Sequence, residues 1–259
     1  MLRSIVFLLA ICCTISCESQ KKEADNIKTS QLSIQKDTLP AEAEPEISIE
    51  FLTGKFDPAN QPDFVKIDPS HTDKTGIYLQ KEVYSQFLKM REAAAKDGIQ
   101  LIIRSATRNF DAQKRIWERK WQALEANGRK DEKEMAMEIL QYSSMPGTSR
   151  HHWGTDIDLN SVDNQWFGSP EGQKLYKWLI EHAGKFGFYQ PYTAKGTIRP
   201  DGYEEEKWHW SYLPLSKIYI KAAEIHLKDD LISGFKGSNT ASEIGVVRKY
   251  VLGIDPQCK

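Results

Sequence analysis

The sequence predicts an α+β fold, a small mainly antiparallel sheet flanked by several helices. Segments with apolar residues at helical spacing are interspersed with short runs of period two, and no regular strand–helix–strand repeat links them. The 259-residue chain is 40% hydrophobic and 27% charged, the balance of an ordinary globular protein. Residues 47–259 show no internal repeat, and one core suffices for that length.

The first 17 residues read as a lipoprotein-type signal peptide. Arg3 supplies the positive start, and Ile5 to Ile15 carry no charge. That run is shorter than the ~20 residues a membrane-spanning helix needs. It closes on Thr14-Ile15-Ser16-Cys17, which resembles a lipobox, with Thr14 where Leu is usual. Lipidation of Cys17 is the expectation, and simple secretion the alternative. Residues 18–46 are rich in Lys, Glu, Asp, Ser, Gln and Pro and poor in large apolar side chains. Such a segment cannot offset chain entropy by burial and reads as a disordered tether. As a coil of about 28 residues it reaches on the order of 30 Å.

The folded domain then occupies 47–259. Val83, Phe87, Met90 and Ala94 recur at helical spacing and predict a helix over 79–96, with Gly98 beyond its end. Residues 100–104 read as a short buried strand. Trp117, Trp121 and Leu124 share one stripe of a helix over 110–127, and 131–142 form another. Residues 155–160 alternate strictly and predict a strand. A long helix follows over 169–186, with Leu175, Trp178 and Leu179 near one face. Residues 208–213 are a further strand, and 215–232 the last long helix. Residues 243–254 keep helical spacing through Ile244, Val247 and Val251, but Gly245 and Gly253 weaken it.

A formal net charge of −1 gives no electrostatic footprint for nucleic acid. Cys12 and Cys13 fall within the signal and Cys17 would carry lipid, so Cys258 stands alone. Neither a disulfide framework nor a cysteine metal site can be built from it. Any metal must be held by His and carboxylate. Among the six histidines, His71, His182 and His226 have no acids at ligand spacing and read as surface or packed residues.

Two segments carry chemistry. In 146–160 a turn delivers His151, and the strand after it places Asp156, Asp158 and Asn160 on one face and Ile157 and Leu159 on the other. Two carboxylates on one face repel unless a cation or donors sit between them. In Glu206-Lys207-Trp208-His209 an imidazole follows a carboxylate by three residues. A catalytic zinc needs three protein ligands, an open position and a base that is not a ligand. His151, Asp158 and His209 meet that count, and Glu206 is the base. His152 is the adjacent alternative to His151. The tryptophans at 117, 121, 153, 208 and 210 read mainly as core, with Trp208 supporting the metal strand and Trp153 a candidate for the cleft wall.

Ser149, His151, Gly154 and Asp158 resemble the Ser-x-His-x-x-Gly-x-x-x-Asp signature of the VanY-type D-alanyl-D-alanine carboxypeptidases, zinc peptidases related to lysostaphin-type and hedgehog-type domains. Glu206, Trp208 and His209 resemble that family's Glu-x-Trp-His. The segment Ser105 to Gln113 resembles its Ser-Gly-Tyr-Arg-Ser-x-x-x-Gln, with Arg108 and Gln113 in place. The three stand in family order across most of residues 100–212, and their register favours His151 over His152. Asp156 departs from the pattern, standing where the family usually has Ala. The stretch between Gln113 and Ser149 is long and helical.

The resemblance implies one Zn2+ ion on His151, Asp158 and His209, with Glu206 as general base. Arg108 would stabilise the tetrahedral oxyanion or the substrate's terminal carboxylate. Gln113, Ser149, Ser143, Ser144 and Asp156 are the expected substrate-binding residues. The implied reaction removes the terminal D-alanine of peptidoglycan stem peptides. An L,D-carboxypeptidase or cross-link endopeptidase is the alternative within the class, and a non-catalytic zinc-stabilised wall-binding module the alternative outside it. The implied setting is a monomer in the bacterial cell envelope, exported to the periplasmic side and anchored through Cys17.

Overall fold

The chain folds as α+β, as its mixed periodicities predict, with a four-stranded and a two-stranded sheet, both antiparallel. The computed structural model describes residues 47–259. The signal, Cys17 and the tether over 18–46 lie outside the described residues. The described residues form one compact unit. Among the described residues no helix is long and apolar enough to cross a membrane.

In chain order the elements are α1 (Ile49–Leu52), β1 (Phe64–Lys66), β2 (Tyr78–Gln80), α2 (Lys81–Lys96), β3 (Ile103–Ser105), α3 (Phe110–Ala126) and α4 (Glu132–Ile139). There follow β4 (Asp156–Leu159), α5 (Asn164–Phe167), α6 (Pro170–His182), β5 (Phe188–Tyr189), β6 (His209–Tyr212), α7 (Leu213–His226) and α8 (Ala241–Ile244). Strands β1 and β2 pair with each other, and the larger sheet runs β3-β4-β6-β5.

The helices form where stripe and cap agree. Val83, Phe87, Met90 and Ala94 are the buried stripe of α2, packed with Ile157 and Leu159 of β4 and Leu175 and Leu179 of α6. Trp117 and Trp121 of α3 join a second core with Met135 and Ile139 of α4 and Ile220 and Ala223 of α7. Asn109 and Asp131 cap α3 and α4 by accepting from the backbone N–H three residues on.

Strand pairing decides which side chains meet. Asp158 lies directly opposite His209, Ile157 opposite Trp210, and Asp156 opposite Ser211. Opposed side chains share a face, with Cβ atoms about 4.5–5.5 Å apart. Ile157, Leu159, Trp210 and Tyr212 therefore enter the α2–α6 core, while Asp156, Asp158, His209 and Ser211 share the other face.

Several boundaries differ from expectation. The strand expected over 100–104 pairs only as Ile103–Ser105, because Asn160 replaces the ladder before it. The Asn160 side chain accepts from Ile102 N and donates to the Gln100 carbonyl. The helix expected over 131–142 ends at Ile139, and the one over 169–186 ends at His182 with a 3-10 turn over Ala183–Phe186. The helix expected over 215–232 starts at Leu213 and ends at His226, where Leu227 turns extended. Near the C-terminus Gly245, at φ +73, stops α8, and the chain resumes as a π-helical turn over Val247–Val251. Ile244, Val247 and Val251 are still buried together.

A four-residue 3-10 turn, Arg150–Trp153, leads into β4 and ends on Gly154 in the left-handed region, φ +69. A Cβ at Gly154 would lie 2.4 Å from Phe64 Cε1. Gly154→Ala should therefore lower stability by more than the ~1–2 kcal/mol that left-handed backbone costs an L-residue. Urea unfolding checks this, and an unchanged midpoint would contradict the packing described.

Candidate metal centre

The 3-10 turn positions His151, with Ser149 capping it by accepting from His151 N at 3.3 Å. The His151 ring is oriented by its Nδ1–H, which donates to the Ala106 carbonyl at 2.9 Å. Nε2 is thereby left with a free lone pair. It approaches Asp158 Oδ1 to 3.3 Å without a hydrogen bond, and both atoms are buried with no hydrogen-bond partner. His209 Nδ1 lies 3.2 Å from the same Asp158 oxygen. The three ligand atoms of His151, Asp158 and His209 fall within 4.8 Å of one another.

Ligands about 2.0–2.1 Å from a tetrahedral zinc sit roughly 3.3 Å apart. The two measured separations match that edge, and orphaned buried atoms aimed at one point are what a cation would satisfy. The residues fit a zinc ion.

Glu206 Oε2 stands 3.3 Å from His209 Nδ1, at the edge of this cluster. Burial raises its pKa above the ordinary carboxylate value, opposed by His209. For Asp158 burial also acts upward, but His151 and His209 outweigh it and hold the carboxyl well below its usual range. Burial disfavours a charged His209, yet its hydrogen bond to Asp156 and the adjacent carboxylates of Asp158 and Glu206 prevail and raise its pKa well above normal. Two carboxylates, Asp158 and Glu206, thus stand within 3.3 Å of His209 Nδ1, and carboxylates crowded in this way are stabilised by a cation between them.

His152 is excluded as a ligand by its own bonds. Its Nδ1–H donates to the Arg108 carbonyl and its Nε2 accepts from Gly147 N. Burial presses its pKa down to about 3, so the ring is neutral.

Asp156, expected at the substrate, is not in the cleft. It is fully buried beneath His209, and all its acceptor directions are taken. Oδ2 accepts from His209 Nε2 at 2.8 Å and from Arg150 Nε at 2.9 Å. Oδ1 accepts from Ser211 Oγ and Thr155 Oγ1. The bond to Nε2 fixes the His209 tautomer so that Nδ1 faces the cluster. Arg150 is itself wholly buried and lies over the Trp153 ring, 4.9 Å from its centroid.

A cleft of about 230 Å³ opens over the cluster. Arg108, Ser143, Ser144, Ser149 and Glu206 line it, together with Trp208. Gln113 does not: it is buried behind the wall, donating through Nε2 to the Ser144 carbonyl at 2.8 Å. Trp153 likewise packs inward, its Nε1 donating to the Leu52 carbonyl. Sequence reasoning missed Lys120, Tyr142, Val162 and Tyr192 in the lining. Tyr142 and Val162 are exposed and flank the mouth. The long helical insertion between Gln113 and Ser149 was the available signal for Lys120 and Tyr142, but it does not say which side chains turn into a cleft.

A family model described as VanY, D-alanyl-D-alanine carboxypeptidase, matches residues 76–215. A D-alanyl-D-alanine carboxypeptidase of Enterococcus faecalis is 30% identical over 131 residues, 49% of this chain and 47% of that protein. The Bacillus subtilis protein YodJ is 30% identical over 159 residues, 60% of this chain and 51% of its own length. The chain thus spans about half the length of these curated relatives. Among solved structures, VanYB in complex with D-alanine-D-alanine is 25% identical, covering 64% of this chain and 89% of that one with a TM-score of 0.47.

Proposed function

Since the chain belongs to the VanY D-alanyl-D-alanine carboxypeptidase family, we propose that it is a zinc-dependent carboxypeptidase that removes the C-terminal D-alanine of peptidoglycan stem peptides. One observation carries the zinc-dependent part: the buried, partnerless Nε2 of His151 and Oδ1 of Asp158 converge with Nδ1 of His209 beside Glu206. These three residues would hold the ion, which when bound polarises a scissile carbonyl and lowers the pKa of water.

The chain's own residues supply the rest. Glu206 accepts a proton from the attacking water at Oε2 as the new C–O bond forms. It passes that proton to the departing amine as the C–N bond breaks. Backbone hydrogen bonds hold Glu206 in position for both transfers. Glu206 N donates to the Tyr192 carbonyl, and the Glu206 carbonyl accepts from Gln190 Nε2 and His209 N. Arg108 would meet the oxyanion, a reading supported by its place in the cleft lining and its buried, partnerless Nε. Ser149 and Ser144 would contact the peptide, and Gln113 acts through the Ser144 loop. We further assign the enzyme to the bacterial cell envelope, anchored by lipid on Cys17; Arg3, the uncharged run over 5–15 and the Cys17 beyond it support that reading.

Purified zinc-loaded protein should release D-alanine from a defined stem pentapeptide. Release from the tetrapeptide instead would assign L,D-specificity, and cleavage of cross-linked dimers alone an endopeptidase. Binding of these peptides with no hydrolysis of any would overturn the enzymatic reading in favour of a wall-binding module.

A further inference from the structure

Lys120 is a cation in the cleft that the chemistry above does not use. It stands on α3, half-buried, and lines the same wall as Arg108 and Glu206. Its hydrogen-bond partner among the described residues is Ser143 Oγ, at 2.6 Å. Burial lowers its pKa below the ordinary lysine value, and Glu206 acts in the opposite direction. An ammonium has three donors, so two remain beyond the one given to Ser143. Ser143 accepts from Lys120, which leaves its own O–H to donate. Two N–H groups and one O–H thus remain at one spot on the cleft wall.

The surroundings say what belongs there. Asp158 and Glu206 lie in the same cleft and would repel an anionic substrate end that came close to them, while Arg108 and Lys120 are the cations there that can receive it. A peptide bond in the interior of a chain offers no charge to a partly desolvated ammonium, whereas a free carboxylate offers one with two acceptor oxygens. The loop bearing Ser143 is held in place, since Ser143 N donates to the Ile139 carbonyl and the Ser144 carbonyl accepts from Gln113. The seat is therefore built on rigid elements.

We propose that Lys120 and Ser143 form the seat for the substrate's terminal carboxylate, which makes Lys120 the residue that sets exopeptidase over endopeptidase specificity. This rests on the carboxypeptidase reading and divides labour within it: Arg108 serves the oxyanion and Lys120 the chain end.

The test compares one stem peptide as its C-terminal free acid and as its C-terminal amide, on wild type, Lys120→Met and Lys120→Arg. Wild type should prefer the acid at least tenfold in kcat/KM, chiefly through KM. Lys120→Met should bring that preference close to one, and Lys120→Arg should restore most of it. If Lys120→Met does not fold, Ser143→Ala carries the same comparison. A preference unchanged in Lys120→Met, whatever happens to the overall rate, overturns the proposal. Calorimetric binding of the same two peptides to the Glu206→Gln protein, with and without Lys120→Met, is the second arm. If wild type cleaves neither peptide, the carboxypeptidase reading has failed, and this arm alone decides the seat. Acid-selective binding that disappears with Lys120 supports it, and equal binding of acid and amide refutes it.

Discussion

Glu206→Gln is expected to cut kcat for D-alanine release by about a thousandfold, within the range that removal of a general base produces. The substitution keeps the size of the side chain and removes its ability to take a proton. Glu206 is buried and its backbone is held by three hydrogen bonds, one of them from the Gln190 side chain, so the loop should not move. Its carboxylate lies beside His209 rather than among the three converging ligand atoms. Zinc content of the variant should therefore match wild type, and kinetics together with metal analysis check both halves. Undiminished turnover would remove Glu206 from the mechanism. Loss of zinc would make it a ligand.

The second large effect is on stability. Asp156→Ala strands the Arg150 guanidinium in the protein interior, where both side chains are wholly buried. Removing one partner of such a pair costs about 3–5 kcal/mol. The same change removes the acceptor that orients His209 Nε2, and loss of an outer-shell partner lowers metal affinity by about 10–100-fold. The two consequences separate in Arg150→Met/Asp156→Ala. That double variant should recover much of the stability and none of the zinc affinity, read by urea unfolding and chelator competition. Equal recovery of both would mean that the pair acts only as a structural unit.

Much of this is visible in the sequence where local periodicity governs structure. The stripe of Val83, Phe87, Met90 and Ala94 is the buried face of α2, and the alternation after Gly154 puts Asp156 and Asp158 on one face of β4. Strands of two or three residues, such as β1, β2 and β5, are too short to show a period. Helical spacing places the ends of α4 and α7 too far along the chain, because it continues past residues whose backbone bonds go elsewhere. The place of Asp156 is illegible for a different reason. Its partner Arg150 reaches it from the preceding turn, and Ser211 and His209 from a neighbouring strand, which only the β4–β6 register brings beside it. Gln113 and Lys120 show the same limit. Both sit on α3, and which of them faces the cleft depends on how the connection after α4 folds back across it.

Zinc titration of chelator-stripped protein, with D-alanine release from the stem pentapeptide followed in parallel, bears most directly on the role of His151, Asp158 and His209. Release should return in proportion to added zinc and saturate at one ion per chain, and His209→Ala should neither bind that ion tightly nor regain activity. Hydrolysis that persists in the stripped protein, or a His209→Ala variant that takes up zinc as tightly as wild type, would contradict it.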